Sequence, residues 1–278
     1  DISVVMSGEG ADELFAGYGR IFRSPHDYYM SKKPLLGKII NYSTENGSKK
    51  NFSNPMEHFL SRYSWFTNDE KKEFLKRDLT DYNYDEYSLE YIESLFKKVS
   101  HLNYYEGMYY LLGKLHLTNL LNRLDRMTMA ASVEARVPFL DVNLVEFASK
   151  LPTQYKLRWK NKISKLKSTI FNSEIISEKF DIPKYILKRL AKDKLPNSII
   201  YRKKMGFPVP LNNWASKNFG EYAYEILTSS KSKSKGIFNL SIIKKFIEKK
   251  SFNAKEDLDG KKIWMMLNFE LWLQDKKL

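Results

Sequence analysis

VVMSGEGADELFAGYGR, residues 4 to 20, decides how the chain is read. Four apolar residues in five, Ile2 to Met6, predict a short buried strand. Ser7-Gly8-Glu9-Gly10 then breaks it sharply, because two glycines two apart open backbone angles closed to other residues. From Ala11 to Tyr18, the positions of Leu14, Phe15 and Tyr18 predict a helix with one apolar face. Asp12 and Glu13 fall in its first turn, where the helix dipole favours acids. A strand that ends in glycines and feeds a helix leaves unpaired backbone N–H groups converging on one spot, a place for a phosphate oxygen. Glu9 and Asp12 would repel a bare nucleotide; a magnesium ion between a carboxylate and phosphate oxygens would resolve that conflict, and a general base beside the phosphate is the other use for such acids. The same residues also fit an ordinary tight turn with an acidic helix cap, and their spacing matches neither G-x-x-x-x-G-K nor G-x-G-x-x-G.

Composition narrows the field. With 278 residues the chain can bury an extensive core without disulfides. It has no cysteine, which excludes disulfides, cysteine-ligated zinc and a thiol nucleophile, and fits a cytoplasmic protein. The net charge is +14, but of 47 basic residues only ten are arginine, and the lysines are scattered among acids, as from Asp69 to Lys76. That pattern reads as a solvated face rather than a nucleic-acid footprint. No apolar run approaches the length of a membrane helix, so the sequence reads as soluble. The chain opens at Asp1, not methionine, and directly on a strand, so it reads as a segment of a longer protein.

The polar stretch 41–55, with Asn46-Gly47, predicts a loop. Helices are expected from Glu57 onward, with Thr67 as a cap before Asp69 and Glu70. A long helix is expected over about 111–131, burying Leu111, Leu115, Leu120, Leu121, Leu124 and Met127. Asp141 caps the next helix, which Pro152 stops. Residues 153–180 read as an irregular basic linker, and Asp181-Ile182-Pro183 as a helix start whose stripe is Ile186, Leu187, Leu190 and Ala191. Further helices are expected near 215–228, 240–250 and 261–275, the last burying Trp264, Leu267 and Leu271. The residues described by the sequence are mainly helical, with one or two strands at the N-terminus.

S-G-E-G-A-D-E-L-F-A-G-Y at 7–18 resembles the signature segment of the synthetase domain of glutamine-hydrolysing asparagine synthetases. Three further blocks follow in the family's order: R-L-D-R-M-T-M-A-A-S-V-E-A-R-V-P-F-L-D at 123–141, K-Y-I-L-K-R at 184–189 and R-K-K-M-G-F-P-V-P at 202–210. The resemblance implies an α/β adenine-nucleotide-hydrolase-like domain of the ATP pyrophosphatase type, with residues 1–278 its C-terminal part. It implies that the S-G-G-x-D-S loop and the cysteine-dependent glutaminase domain lie outside this chain, so that the fragment alone would be inactive. The implied activity is an ATP-dependent amide-forming ligase in the cytoplasm, adenylating aspartate or a related acid and using ammonia from glutamine, with ATP and Mg2+ as cofactors. Carried over by position, Ser7, Gly8, Gly10 and Asp12 would bind ATP and pyrophosphate. Asp12 would also bear on the metal, and Glu9 and Lys184 would be catalytic. The partners implied are glutamine and a carboxylate substrate, with neither membrane nor nucleic acid, and a homodimer is open to the full-length protein.

Each residue also has a plainer reading. Lys184 fits a solvated helix start, and Arg123, Asp125 and Arg126 fit either a salt-bridge cluster locking the long helix or a substrate contact. Glu134, Arg136 and Asp141 read as structural, and His26, His58, His101 and His116 lack ligand spacing. Thr118 and Asn119 stand where many relatives carry acids, and the stretch between Lys156-Leu157-Arg158 and Lys184 is longer than in compact members. Both departures leave open a relative that amidates a sugar acid or another carboxylate. A non-catalytic RNA- or protein-binding module on the same fold is the alternative from a different class.

Overall fold

The computed structural model describes residues 2–33, 52–76, 79, 85–202, 204, 209–215, 218–248 and 258–276. Most of the loop expected at 41–55, and residues 203 and 205–208 of the fourth block, lie outside the described residues. The chain is mainly helical and divides into two compact units, Asp1–Arg62 with Leu89–Lys204, and Tyr63–Ser88 with Met205–Leu278. Among the described residues no helix is long and apolar enough to cross a membrane.

In the first unit, β1 (Val4–Met6) pairs in parallel with β2 (Glu134–Arg136), Val5 lying opposite Ala135. Strands are therefore not confined to the N-terminus: β3 (Leu157–Trp159) and β4 (Asp181–Pro183) form a separate antiparallel pair. The expectation that β1 is buried is corrected, since Ile2, Val4 and Met6 are exposed, Met6 by 81%. A parallel strand hides its side chains only when layers cover both faces, and among the described residues β1 has β2 alone as a strand partner. The core lies instead among the helices, around Phe15, Phe22, Phe59, Met108, Leu111 and Leu112.

The helix expected over Ala11–Tyr18 is a single turn, Ala11–Leu14, because Ala16 takes a left-handed φ of 59° and ends it. A second helix, Gly19–Arg23, follows. The long helix begins earlier than expected, at Tyr104, and a π-helical turn at Gly113–Leu117 separates Tyr104–Leu112 from Thr118–Met129. That turn breaks the period on which the apolar stripe was counted. Leu111 is buried, but Met127 is 68% exposed and Thr118–Met129 buries none of its residues.

Asp141 caps Val142–Lys150 as expected, accepting hydrogen bonds from the N–H groups of Asn143 and Leu144. Asp181 does not cap a helix. It lies in β4 and pairs with Arg23 at 2.9 Å, so a buried cation from a distant part of the chain takes the carboxylate that the local pattern assigns to a helix start. Residues 153–180 are more regular than a linker, holding β3 and the helices Lys162–Lys167 and Ser173–Ile176. Leu190 is exposed, since Tyr185–Ala191 buries none of its residues.

In the second unit, Thr67 and Glu70 close a reciprocal capping box on Asn68–Phe74. Phe74, Leu227, Phe238, Ile243, Ile263 and Leu267 form the core. Of the three residues expected to be buried in the last helix, Leu258–Asp275, only Leu267 is, because Trp264 and Leu271 lie on its exposed side.

Glu270, wholly buried in that helix, accepts hydrogen bonds from the Ser232 hydroxyl at 3.1 Å and from the N–H groups of Lys233 at 3.0 Å and Ser234 at 2.7 Å. Burial pushes its carboxyl up, but the Ser234 hydroxyl, the Gln274 amide and the N–H groups of Ser234 and Lys233 outweigh burial and bring it down to about 2. A depressed carboxyl contributes stability that is present above its ordinary value of 4.5 and is lost as pH falls through about 2. Glu270→Ala is expected to cost about 3 kcal/mol, because buried donors lose their acceptor. Urea midpoints compared near pH ~6 and pH ~3 should fall for the native protein and fall less for the variant. An equal fall in both would remove Glu270 as the cause.

Candidate functional site

The site forms where the chain leaves β1. Ser7 still belongs to the ladder, its N–H donating to the Arg136 carbonyl at 2.8 Å. The sheet therefore already uses the Ser7 N–H, and the Ser7 hydroxyl and carbonyl are the groups it has left to offer a ligand. The N–H groups of Gly8 and Gly10 meet no acceptor among the described residues. Gly10 sits at φ 90° beneath Leu140, and a Cβ there would lie 2.4 Å from Leu140 Cδ2, so the turn needs glycine on both counts. Two residues later, in the first turn of Ala11–Leu14, the chain presents Asp12.

Lys184 arrives from a different direction. It follows β4 directly, takes a left-handed φ of 52°, and donates its backbone N–H to the Phe15 carbonyl at 3.1 Å. That bond fastens the start of Tyr185–Ala191 to the end of the first segment. The Lys184 ammonium then lies 2.8 Å from Asp12 Oδ1. Lys204 reaches the same oxygen at 2.8 Å, donates to the Gly17 carbonyl at 3.2 Å, and stands 4.0 Å over the Tyr18 ring. A Cβ on Gly17 would fall 1.6 Å from Asp12 Oδ1 and 2.3 Å from Lys184 Cε, so any side chain there would displace the ion pair.

Two ammonium groups on one carboxylate oxygen set the local field. Burial raises the Asp12 pKa, but hydrogen bonds and charge from Lys184 and Lys204 outweigh it and hold the carboxyl below the usual aspartate value. Behind the cluster, the Tyr18 hydroxyl donates to Glu13 Oε1 at 2.8 Å. Burial, then Glu13, drives the Tyr18 phenol upward, so it stays a protonated donor. Glu13 is itself buried, and its Oε2 has no hydrogen-bond partner.

Glu9 lies beside this arrangement, its N–H donating to Ser7 Oγ at 3.4 Å and its Oε1 standing 3.8 Å from Arg123 Nη2. The salt-bridge lock read for Arg123, Asp125 and Arg126 is not formed: Arg123 turns to Glu9, and Asp125 and Arg126 are exposed with no side-chain partner among the described residues. Among the described residues no group of three His, Cys, Asp or Glu side chains is placed to hold a metal. Asp12 Oδ2 takes no hydrogen bond from them either, which leaves one carboxylate oxygen that could hold a cation.

Asp12, Lys184, Gly8, Gly10 and Glu9 therefore gather at one end of the β1–β2 pair, the C-terminal end, where α/β sheets place their ligands. The sequence assigns no site role to Lys204, Gly17, Tyr18 or Glu13, Tyr18 and Glu13 being read only as part of a helix. For Lys204 a signal existed, since it belongs to the fourth block at 202–210.

The chain matches the family model for asparagine synthase over residues 1–274. It is 27% identical to asparagine synthetase (glutamine-hydrolyzing) 1 of Bacillus subtilis strain 168 over 290 residues, covering 98% of this chain and 40% of that protein. It is 28% identical over 232 residues to asparagine synthetase (glutamine-hydrolyzing) 3 of the same organism, covering 84% of this chain and 30% of that protein. The chain thus spans well under half the length of these relatives. No solved structure matches it.

Proposed function

Because the chain belongs to the asparagine synthase family, we propose that it forms the C-terminal part of a synthetase domain that activates a carboxylate with ATP. Adenylation releases pyrophosphate, and ammonia drawn from glutamine then converts the acyl-adenylate to an amide, releasing AMP. In this reading β1 and β2 belong to the parallel sheet of an adenine-nucleotide-hydrolase-like domain, and the acceptor is aspartate or a related acid. The observation that carries it is the pair of lysine ammonium groups, each 2.8 Å from one Asp12 oxygen, at the C-terminal end of β1.

A carboxylate is a poor electrophile, and its adenylate carries a good leaving group. Charge gathers on phosphate oxygens as pyrophosphate departs, and cations fixed in advance are most effective there. Asp12 holds Lys184 and Lys204 in place with one negative charge against two positive, so the cluster keeps a net attraction for phosphate. Gly8 and Gly10 add free N–H donors beside it. Magnesium, when bound, supplies further neutralisation of phosphate charge. Glu9, held from one side by Arg123, orders the attacking ammonia or takes its proton.

Glu9→Gln tests the assignment in the full-length protein. Amide formation is expected to fall by at least about a hundredfold, in the range for loss of a general base, with the unfolding midpoint unchanged. Native-level amide formation in this variant would remove Glu9 from the reaction. Absence of acid-dependent AMP release in the native protein would remove the ligase assignment.

A further inference from the structure

β3 and β4 close the neck of an excursion from Lys160 to Phe180, whose two ends are joined by the Lys160 N–H donating to the Phe180 carbonyl at 2.9 Å. Its residues, with those of the following helix and of Tyr201 and Arg202, line an open cavity of about 680 Å³. Three carboxylates and four cations stand in the wall. Two of the carboxylates are bound by arginines: Glu174 by Arg62 at 3.8 Å and Asp181 by Arg23 at 2.9 Å. Glu178 alone is left to face Lys160, Lys179, Lys188 and Arg202.

The cations are under-used. Lys160 donates to the Glu178 carbonyl at 2.7 Å, and Lys179, Lys188 and Arg202 pair with no carboxylate among the described residues. Burial lowers the Lys188 pKa, only partly offset by Glu178 and Asp181, so an anion arriving beside it would favour the charged form. Glu178 and Lys184, which bracket β4, hold left-handed φ values of 63° and 52°. Strained backbone of this kind persists where the surroundings over-determine it, and it clusters at ligand sites.

Two segments of the chain that line the cavity run on into the reacting centre. Pro183 in its wall precedes Lys184, and Lys188 lies one helical turn beyond, its N–H donating to the Lys184 carbonyl at 2.9 Å. Arg202 stands two residues before Lys204, which binds Asp12. A volume of this size suits a ligand well beyond a single amino acid.

We infer that the cavity is a second anion site beside the reacting centre, receiving the acidic remainder of an acceptor that is a polycarboxylic acid larger than one amino acid. The role as acceptor site rests on the ligase reading, whereas anion binding there does not. Calorimetry on the full-length protein with citrate, trigalacturonate and aspartate tests it. The two polyacids should bind at least about tenfold more tightly than aspartate, and more weakly as salt rises. Lys188→Gln/Arg202→Gln should weaken the polyacids by about tenfold or more, as loss of charged hydrogen bonds requires. Lys179→Glu, a reversal on an exposed side chain that leaves packing untouched, should weaken them in the same direction. Aspartate binding as tightly as the polyacids, or native affinity in both variants, overturns the inference. If no acid elicits AMP release while the variants still lose citrate, the anion site stands and the ligase reading falls. If AMP release with a polyacid is unaffected by either variant, the ligase reading stands and the cavity has no part in it.

Discussion

Lys184→Ala is expected to lower acid-dependent AMP release in the full-length protein by about a hundred- to a thousandfold, the range for removing one pre-placed group that meets developing charge. The fold should survive, because Asp12 keeps Lys204 at 2.8 Å and the Lys184 backbone bond to Phe15 does not involve the side chain. The left-handed φ of 52° introduces a second effect, since alanine there is about as strained as lysine, while glycine is not. Lys184→Gly therefore separates the two contributions. If the ammonium is what matters, the glycine variant is as slow as the alanine variant and unfolds no earlier than the native protein. A rate within about tenfold of native in both would remove Lys184 from the chemistry.

Asp181→Ala carries the largest expected effect on stability, about 3 to 5 kcal/mol, because it breaks a buried ion pair on one side only. Arg23 would be left with its guanidinium buried, stacked 3.9 Å from the Trp159 ring centroid, and with Nη2 already lacking a partner. The Glu178 N–H would lose its acceptor as well, at 2.8 Å in the native protein. Chemical denaturation of the native and variant proteins measures the loss. Arg23→Met/Asp181→Ala should recover much of it, since replacing both partners with apolar groups leaves no stranded charge. A loss below about 1 kcal/mol in the single variant would mean that water reaches Arg23 and that the pair is not a buried one. Because β4 delivers Lys184, the single variant should also slow AMP release under conditions where it remains folded.

Local signals were legible wherever a residue satisfies its neighbour in sequence. Thr67 and Asp141 cap the helices their flanking residues announce, and the glycines at 8 and 10 do mark the end of a strand. Signals failed where a distant residue competes. Asp181-Ile182-Pro183 carries every mark of a helix start, yet Arg23 claims the aspartate and β3 claims the backbone. The same holds at the site. Asp12 and Lys184 stood out through the motifs that contain them, but that Lys204 shares the same oxygen depends on how the chain returns after residue 201, which no local period encodes. Gly17 lies in the first block but receives no role from it for a related reason: its lack of a side chain matters only because Asp12 and Lys184 meet across it.

The π turn at Gly113–Leu117 works as a gear between two halves of one rod. Each residue of an ordinary helix advances by about 100°, so the extra residue held in that turn resets the heading of everything after Leu117. Arg123 faces Glu9 on that setting. Shortening the turn by a single residue would leave the helix intact and swing the guanidinium roughly a quarter of a circle away from the carboxylate, so residues that touch no ligand dictate how Glu9 is aimed.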